Sequence, residues 1–296
     1  GTIMDATMKS TLDDRKLARQ QRFQNKLQHK LALRQKRGEI TQQEQEQLWN
    51  QHGKTHSHLL SASRGQRKAW QVENFVVLLQ HHLQNILSSG NIGVDITVVD
   101  FGSGTGNLCL ALAAYFPQIQ FVLVDKNEYS LQMVQQRAES ANIANIQVQQ
   151  FHFSSTNLQD YQAPPNNNRN KRSLSQMGTS RSFDLGIGLH CCGSFTDMVM
   201  EICRIQRADC IVCPCCNGGL MTSFHYPRSS VLQHCMTEEE YRSQLSKSAD
   251  DLHHYSAKCW IEYDRALWAK EHGMQVELWK LTPTECTPKH HVLYLK

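Results

Sequence analysis

The chain has 296 residues, of which 40% are hydrophobic and 20% charged, with a formal net charge of +4. That is room for one large domain or two small ones around a sizeable core. No run of eighteen apolar residues occurs and no apolar h-region stands near the start, which excludes a membrane-spanning helix and gives no sign of a secretory signal.

The basic excess is local. Residues 1–60 carry eleven Lys/Arg against six Asp/Glu, while the rest carries twenty against twenty-one. Arg15, Arg19, Arg22, Lys26, Lys30, Arg34 and Arg37 recur in steps of three or four, which puts them on one helical face. Leu17, Phe23, Leu27 and Leu31 add only a weak apolar stripe, so residues 1–63 read as a basic helical arm, partly disordered. Such a helix suits a phosphate backbone, and RNA is the partner it favours. A solvated face without a partner is the plainer alternative.

A domain over residues 64–296 follows. Val72, Val76, Leu79, Leu83 and Ile86 or Leu87 predict a helix that covers one edge of a crevice before the first strand. That strand, Val98-Val99-Asp100-Phe101, runs into Gly102-Ser103-Gly104-Thr105-Gly106, and a helix spans from about Asn107 to Pro117. A second apolar run, Phe121–Val124, ends at Asp125, nineteen residues after the last of these glycines. Leu131, Val134, Ala138 and Ala141 mark an amphipathic helix, and residues 146–153 a third strand. Residues 161–182 are rich in Asn, Arg, Ser and Pro and read as a mobile loop.

Strands over 183–189 and 209–213 bracket a helix over 196–205. Residues 217–255 form a polar insertion with one helix near 237–248. A helix over 257–272 is capped by Gly273, and segments 274–281 and 290–295 close the sheet as an antiparallel pair. Alternating strands and helices with this ending describe a doubly wound α/β sheet.

The glycine-rich turn between two acids is the layout of a nucleoside cofactor site at the end of a parallel sheet. Glycines let backbone approach a ligand closely and adopt positive φ. Asp125 stands where a carboxylate accepts both ribose hydroxyls, Asp100 where it meets a cationic amine. Ser103 and Lys126 complete the set with Gly102, Gly104 and Gly106. A dinucleotide fingerprint would need G-x-G-x-x-G, but Asn107 occupies its third glycine position. S-adenosylmethionine is therefore the favoured cofactor, ahead of a dinucleotide or an empty crevice.

Eleven cysteines at irregular spacing do not form a disulfide framework. The adjacent pairs Cys191-Cys192 and Cys215-Cys216 suit a reducing compartment, cytoplasmic or nuclear. His190 and Cys192 end one predicted strand, Cys215 and Cys216 follow the next, and neighbouring strands would bring all four together. Three readings stand: small wall residues of a tight crevice, a zinc site, or a cysteine nucleophile with His190 as a general base. Zinc is the least supported by spacing, since Cys210 and Cys213 point to opposite faces of a strand. No metal is expected.

Asp100–Gly106, Leu189-His190-Cys191-Cys192-Gly193 with Thr196-Asp197, and Cys213-Pro214-Cys215-Cys216 together resemble a subfamily of class I methyltransferases. Lys258-Cys259, Asp264-Arg265-Ala266 and Glu285-Cys286-Thr287-Pro288-Lys289 strengthen the likeness. It is closest to the methyltransferase domain of the glutathione S-transferase C-terminal domain-containing protein, and more distant to eukaryotic tRNA ribose methyltransferases. Residues 64–296 carry it.

The resemblance implies a seven-stranded Rossmann-like sheet binding S-adenosylmethionine through Asp100, Gly102, Gly104, Gly106 and Asp125. Asn217-Gly218 stands where the tRNA enzymes show paired histidines, which departs from ribose chemistry. No Asn/Asp-Pro-Pro-Tyr motif ends the fourth strand, which argues against exocyclic amines as acceptors. The expected function is methyl transfer to RNA, tRNA foremost. The alternatives are an inactive cofactor fold acting as a binding or redox-sensing module, and a protein methyltransferase.

Overall fold

A computed structural model describes residues 64–88, 95–166, 181–214, 220, 223–250, 255–283, 286–287 and 291–296. The chain divides between Gly65 and Gln66, and the second unit is the one described below. The basic stripe from Arg15 to Arg37 lies outside the described residues.

The elements follow in order: α1 (Arg64–Ser88), β1 (Thr97–Phe101), α2 (Cys109–Tyr115), β2 (Gln120–Asp125), α3 (Glu128–Ser140), β3 (Ile146–Gln150), β4 (Leu185–Leu189), α4 (Ser194–Gln206), β5 (Asp209–Cys213), α5 (Ser230–Cys235), α6 (Glu238–Asp250), α7 (Tyr255–Glu271), β6 (Val276–Lys280) and β7 (His291–Leu295). The strands make one seven-stranded sheet in the order β3-β2-β1-β4-β5-β7-β6. β1 to β5 run parallel, while β7 is antiparallel to both β5 and β6. The expected α/β Rossmann-like sheet is present, and strand order reverses between β1 and β4, where such sheets open a crevice.

Alternation along each strand feeds two cores. Val98, Leu123, Leu185, Ile187, Ile211 and Tyr294 face α1, α2 and α3. Val99, Phe101, Val124, Val212, Leu293 and Leu295 face α4 and α7. Fully burying each such side chain contributes about 1.5–3 kcal/mol. Both acids at the strand tips follow this period, so Asp100 and Asp125 lie on the α1–α3 side, with Phe101 and Val124 opposite.

Several boundaries differ from the sequence expectation. α2 starts at Cys109 instead of Asn107, because residues 104–108 are held in the turn that Gly106 N and Leu110 N close onto Ser103 O and Gly106 O. β3 stops at Gln150 and frees Phe151-His152-Phe153 from the ladder. The stretch read as a mobile loop from 161 is packed where it begins: Tyr161 is 0% exposed and Ala163 buried, with Ala163 N donating to Ser182 Oγ at 3.1 Å. Polar composition hid that, since two apolar side chains suffice to anchor it. Residues 167–180 lie outside the described residues.

The insertion carries a helix that the sequence reading missed, α5. Its first turn is held by Ser229 Oγ, which accepts from Leu232 N, and by Glu271, whose carboxylate accepts from Ser230 N, Val231 N and Ser230 Oγ. Two adjacent residues of α7 tie this insertion to the sheet. Asp264 accepts from Arg228 N (2.7 Å), Ser229 N (2.8 Å) and Ser229 Oγ (2.7 Å). Arg265 pairs with Asp197 of α4 through Nε–Oδ1 at 3.1 Å and Nη2–Oδ2 at 2.6 Å, and donates to Gly193 O at 2.8 Å. Tyr226 donates to the same Asp197 carboxylate at 2.7 Å. The side chains of this ion pair are 2% and 1% exposed.

Removing one member of such a pair strands a buried charge. Arg265→Ala is therefore expected to lower the free energy of unfolding by about 3–5 kcal/mol, measured by urea denaturation. The double change Asp197→Leu with Arg265→Met is expected to recover most of that loss. Equal losses in both would show that shape, not charge, is what the pair supplies.

Candidate functional site

Three glycines after β1 take positive φ: +71° at Gly102, +55° at Gly104 and +74° at Gly106. At Gly102 a side chain is also barred by space, because a Cβ would stand 2.9 Å from Cε1 of Phe195. Gly102 N and Ser103 N both donate to Val124 O, at 2.9 and 3.1 Å, and dock the turn on the end of β2. Arg137 of α3 braces it from outside, donating to the Thr105 carbonyl and to Asn107 Oδ1.

Asp125 is held by the same backbone. Gly104 N donates to its Oδ2 at 2.9 Å and Asn127 N to its Oδ1 at 2.8 Å. A carboxylate oxygen accepts two hydrogen bonds, so each keeps capacity for a further donor. The carboxylate thus has a set orientation and room for a diol.

Asp100 is only 3% exposed, and no donor among the described residues reaches its carboxyl group. Burial pushes its pKa from 3.8 to about 8, and the nearby Asp125 carboxylate adds to the rise. The Ser103 hydroxyl is likewise buried without a hydrogen-bond partner among the described residues. An unsatisfied acid and hydroxyl beside a bare glycine turn fit a ligand carrying both an ammonium group and hydroxyls.

A cleft of about 350 Å3 opens beside them. Its walls are Gly102, Val124, Asp125 and Lys126 from the turn and β2, Phe151-His152-Phe153 after β3, and Cys192, Ser194, Phe195 and Met198 at the start of α4. The rings of Phe151 and Phe153 lie 4.7 Å apart, and Phe153 meets Phe195 at 5.8 Å. The volume and the aromatic, largely apolar wall suit a flat heterocycle, with polar groups at one end for orientation.

The β4 end is shaped by strain. His190 has φ +68°, unusual for a residue with a side chain, and its N–H donates to Cys213 O at 3.1 Å. Its Nε2 lies 3.3 Å from Gln71 Oε1 on α1. Its imidazole is held below the ordinary pKa, chiefly by burial and then by the charge of Lys68. Cys192 is exposed, and its thiol donates to His190 O at 3.4 Å. Cys191 points the other way into the core, 3.7 Å from Phe101 O. Gly193, at φ +55° and ψ −133°, occupies a region open to glycine almost alone, and that conformation lets its carbonyl reach Arg265.

Among the residues singled out from sequence, Gly102, Asp125, Lys126 and Cys192 share the cleft wall. Asp100, Ser103, Gly104 and Gly106 sit in the strand and turn beside it without lining it. His190 is not among the lining residues, and its Nε2 meets Gln71 of α1. Cys215 and Cys216 lie outside the described residues. Among the described residues, no cluster of three or more His, Cys, Asp or Glu could hold a metal ion. α1 lines no part of the cleft. Its His82 Nδ1 meets Tyr294 Oη of β7 at 2.9 Å, and its Gln71 reaches His190 just beyond β4. The reading missed the aromatic wall and Gln71. The run Phe151-His152-Phe153 after a strand carried a signal for the first, and nothing in the sequence marked the second.

A family model described as a methyltransferase domain matches residues 67–223. A glutathione S-transferase C-terminal domain-containing protein homolog of Drosophila melanogaster is 30% identical over 263 residues, 83% of this chain and 39% of that protein. The Bos taurus protein of that name is 27% identical over 246 residues, 79% of this chain and 34% of its own length. This chain therefore spans less than two fifths of these relatives. Among solved structures, a SAM dependent methyltransferase from Aquifex aeolicus has 11% identity and a TM-score of 0.37, over 72% of this chain and 87% of that one.

The buried acid has a consequence for stability. Its folded pKa lies above the unfolded value, so the folded state holds a proton that the unfolded state loses. The contribution of Asp100 is fully present below pH 3.8 and declines as pH rises to about 8, by at most about 1.4 kcal/mol per pH unit. Asp100→Asn is expected to match the wild type near pH 4 and to exceed it in stability at pH 7.5, measured by denaturation across that range. A variant curve parallel to the wild type's would show that Asp100 does not carry the proton.

Proposed function

The chain belongs to the methyltransferase-domain family, whose cofactor is S-adenosylmethionine, and on that premise we propose that it methylates RNA, with tRNA the first acceptor class. What carries the choice of RNA is the stripe Arg15, Arg19, Arg22, Lys26, Lys30, Arg34 and Arg37. Seven cations on one helical period with little apolar surface are suited to phosphates, and binding through them weakens steeply with salt.

Each part of the site takes a role in this reading. Asp125, oriented by two backbone donors, accepts the ribose hydroxyls. Phe151, Phe153, Phe195 and Met198 enclose the adenine, and Lys126 and His152 border it. Asp100, Ser103 and the turn Gly102–Gly106 receive the methionine portion, whose ammonium group favours Asp100 in its ionised form. When bound, the cofactor supplies a methyl group on cationic sulfur, and the carbon–sulfur bonding pair leaves with the sulfur.

The protein's own task is then alignment and proton removal. Holding reactants in near-attack geometry is worth up to about 7–11 kcal/mol. His190 at the β4 end is the candidate base, because its lowered pKa keeps the imidazole neutral and able to accept a proton. Cys192, two residues on, narrows the cleft, and in this reading Cys215 and Cys216 are assigned to the transfer site from their sequence position alone.

Two measurements test this. Calorimetric titration of S-adenosylmethionine is expected to give binding of about −7 to −8 kcal/mol, lost in Asp125→Ala. Methyl transfer from labelled cofactor into cell extract is expected to vanish after RNase and to survive protease. Label that resists RNase removes RNA and leaves a protein acceptor. Cofactor binding without any transfer leaves a binding module.

A further inference from the structure

A second cavity, of about 440 Å3, shares no lining residue with the cleft beside the glycine turn. It lies between the segment after β3, α4, α7 and the insertion, and its lining includes Ser155, Gln159, Glu201, Phe224, Arg228 and Trp268.

Arg228 is the group that this cavity leaves unanswered. Its side chain is only 9% exposed. The guanidinium carbon stands 4.0 Å from the centre of the Phe224 ring and 4.7 Å from that of Trp268. Ring faces attract the charge but offer no lone pair, so they fill none of its five N–H donors. Among the described residues, Glu201 is the one carboxylate in the lining. Its Oε1 is taken by Arg204, through Nη2 at 2.6 Å and Nε at 3.3 Å. Its Oε2 stands 3.8 Å from Arg228 Nη2, beyond hydrogen-bond reach. Two guanidinium groups thus share one carboxylate, and no acceptor among the described residues hydrogen-bonds the Arg228 side chain. Its backbone is fixed, with Arg228 N donating to Asp264 Oδ2 at 2.7 Å.

We propose that this cavity is a second ligand site, which takes a terminal phosphate group, as a monoester, on the Arg228 guanidinium. A buried cation with open donors bears a desolvation cost that an anion offsets. The guanidinium fork matches two phosphate oxygens at once. Ser155 and Gln159 supply neutral donors for a further oxygen. A monoester has one substituent and enters a recess end-on, whereas a diester within a strand must leave it on two sides. Glu201 is the built-in competitor, since its charge repels the phosphate that Arg228 attracts.

The test is proton–nitrogen NMR of the arginine Nε–H groups in the full chain, titrated with inorganic phosphate. The Arg228 signal is identified by its loss in Arg228→Lys, which also keeps the charge. Phosphate is expected to shift it saturably, and chloride at the same ionic strength to leave it in place. Glu201→Gln is expected to tighten phosphate at this signal by about fivefold or more. Uridine 5′-monophosphate and an RNA hexamer, with and without a 5′-phosphate, then separate the sources. Equal affinity for the mononucleotide and the 5′-phosphorylated hexamer assigns a small phosphate ester. A hexamer that binds about tenfold tighter, and only with its 5′-phosphate, assigns an RNA end.

An Arg228 signal unmoved by phosphate, or moved equally by chloride, overturns the proposal and leaves Arg228 a cross-link between two rings. So does an affinity unchanged in Glu201→Gln, or a hexamer that binds as well without its 5′-phosphate. Should Arg228→Lys fail to fold, Phe224→Leu identifies the signal by its shift, and the same outcomes decide. None of these readouts needs the cofactor, so failure to bind S-adenosylmethionine would count against the function proposed above and leave this site standing.

Discussion

The site depends on one buried ion pair. Asp197 and Arg265 meet where water is excluded, with the guanidinium also on Gly193 O and the carboxylate also on Tyr226 Oη. Taking both charges out of water costs several kcal/mol each, and only close geometry with every remaining group satisfied offsets it. The partners here supply that. The result is that α4 cannot rotate or slide at its N-terminus without breaking four hydrogen bonds. Gly193 and the first turn of α4 are therefore fixed, and Ser194, Phe195 and Met198 of that helix form one wall of the cleft. Asp264, the residue before Arg265, extends the same constraint to the insertion by holding Arg228 and Ser229.

A second constraint works against stability. Asp100 belongs to a strand that is buried on both faces, and its carboxyl group has no donor among the described residues. An apolar residue there would serve the core better. A buried acid facing a glycine turn instead suits a cationic ligand, whose charge compensates the desolvation of the carboxylate. Conformational strain at His190 and Gly193 belongs to the same pattern, clustered at the ends of β4 and the start of α4.

Most of the architecture is legible in the amino-acid sequence. Strand β5 was read to the residue, and the closing antiparallel pair, the cap at Gly273 and the neighbouring placement of β4 and β5 all follow from periodicity and turn residues. Boundaries failed where local groups overrule periodicity. α2 starts two residues late because the glycine turn keeps its own hydrogen bonds. α5 was missed because it is six residues long, too short for an apolar period, and is held by Glu271 from another helix.

What the sequence by itself determined is the sheet, its acid-tipped first two strands and the glycine turn, because these are written in contiguous residues whose spacing has a direct geometric meaning. What only the tertiary structure decided is which side chains meet at the strand ends. Gln71, His190 and Cys286, or Asp197 and Arg265, are brought together by packing across the whole domain. A hydrogen bond between residues 119 or 68 positions apart leaves no local trace in composition or period.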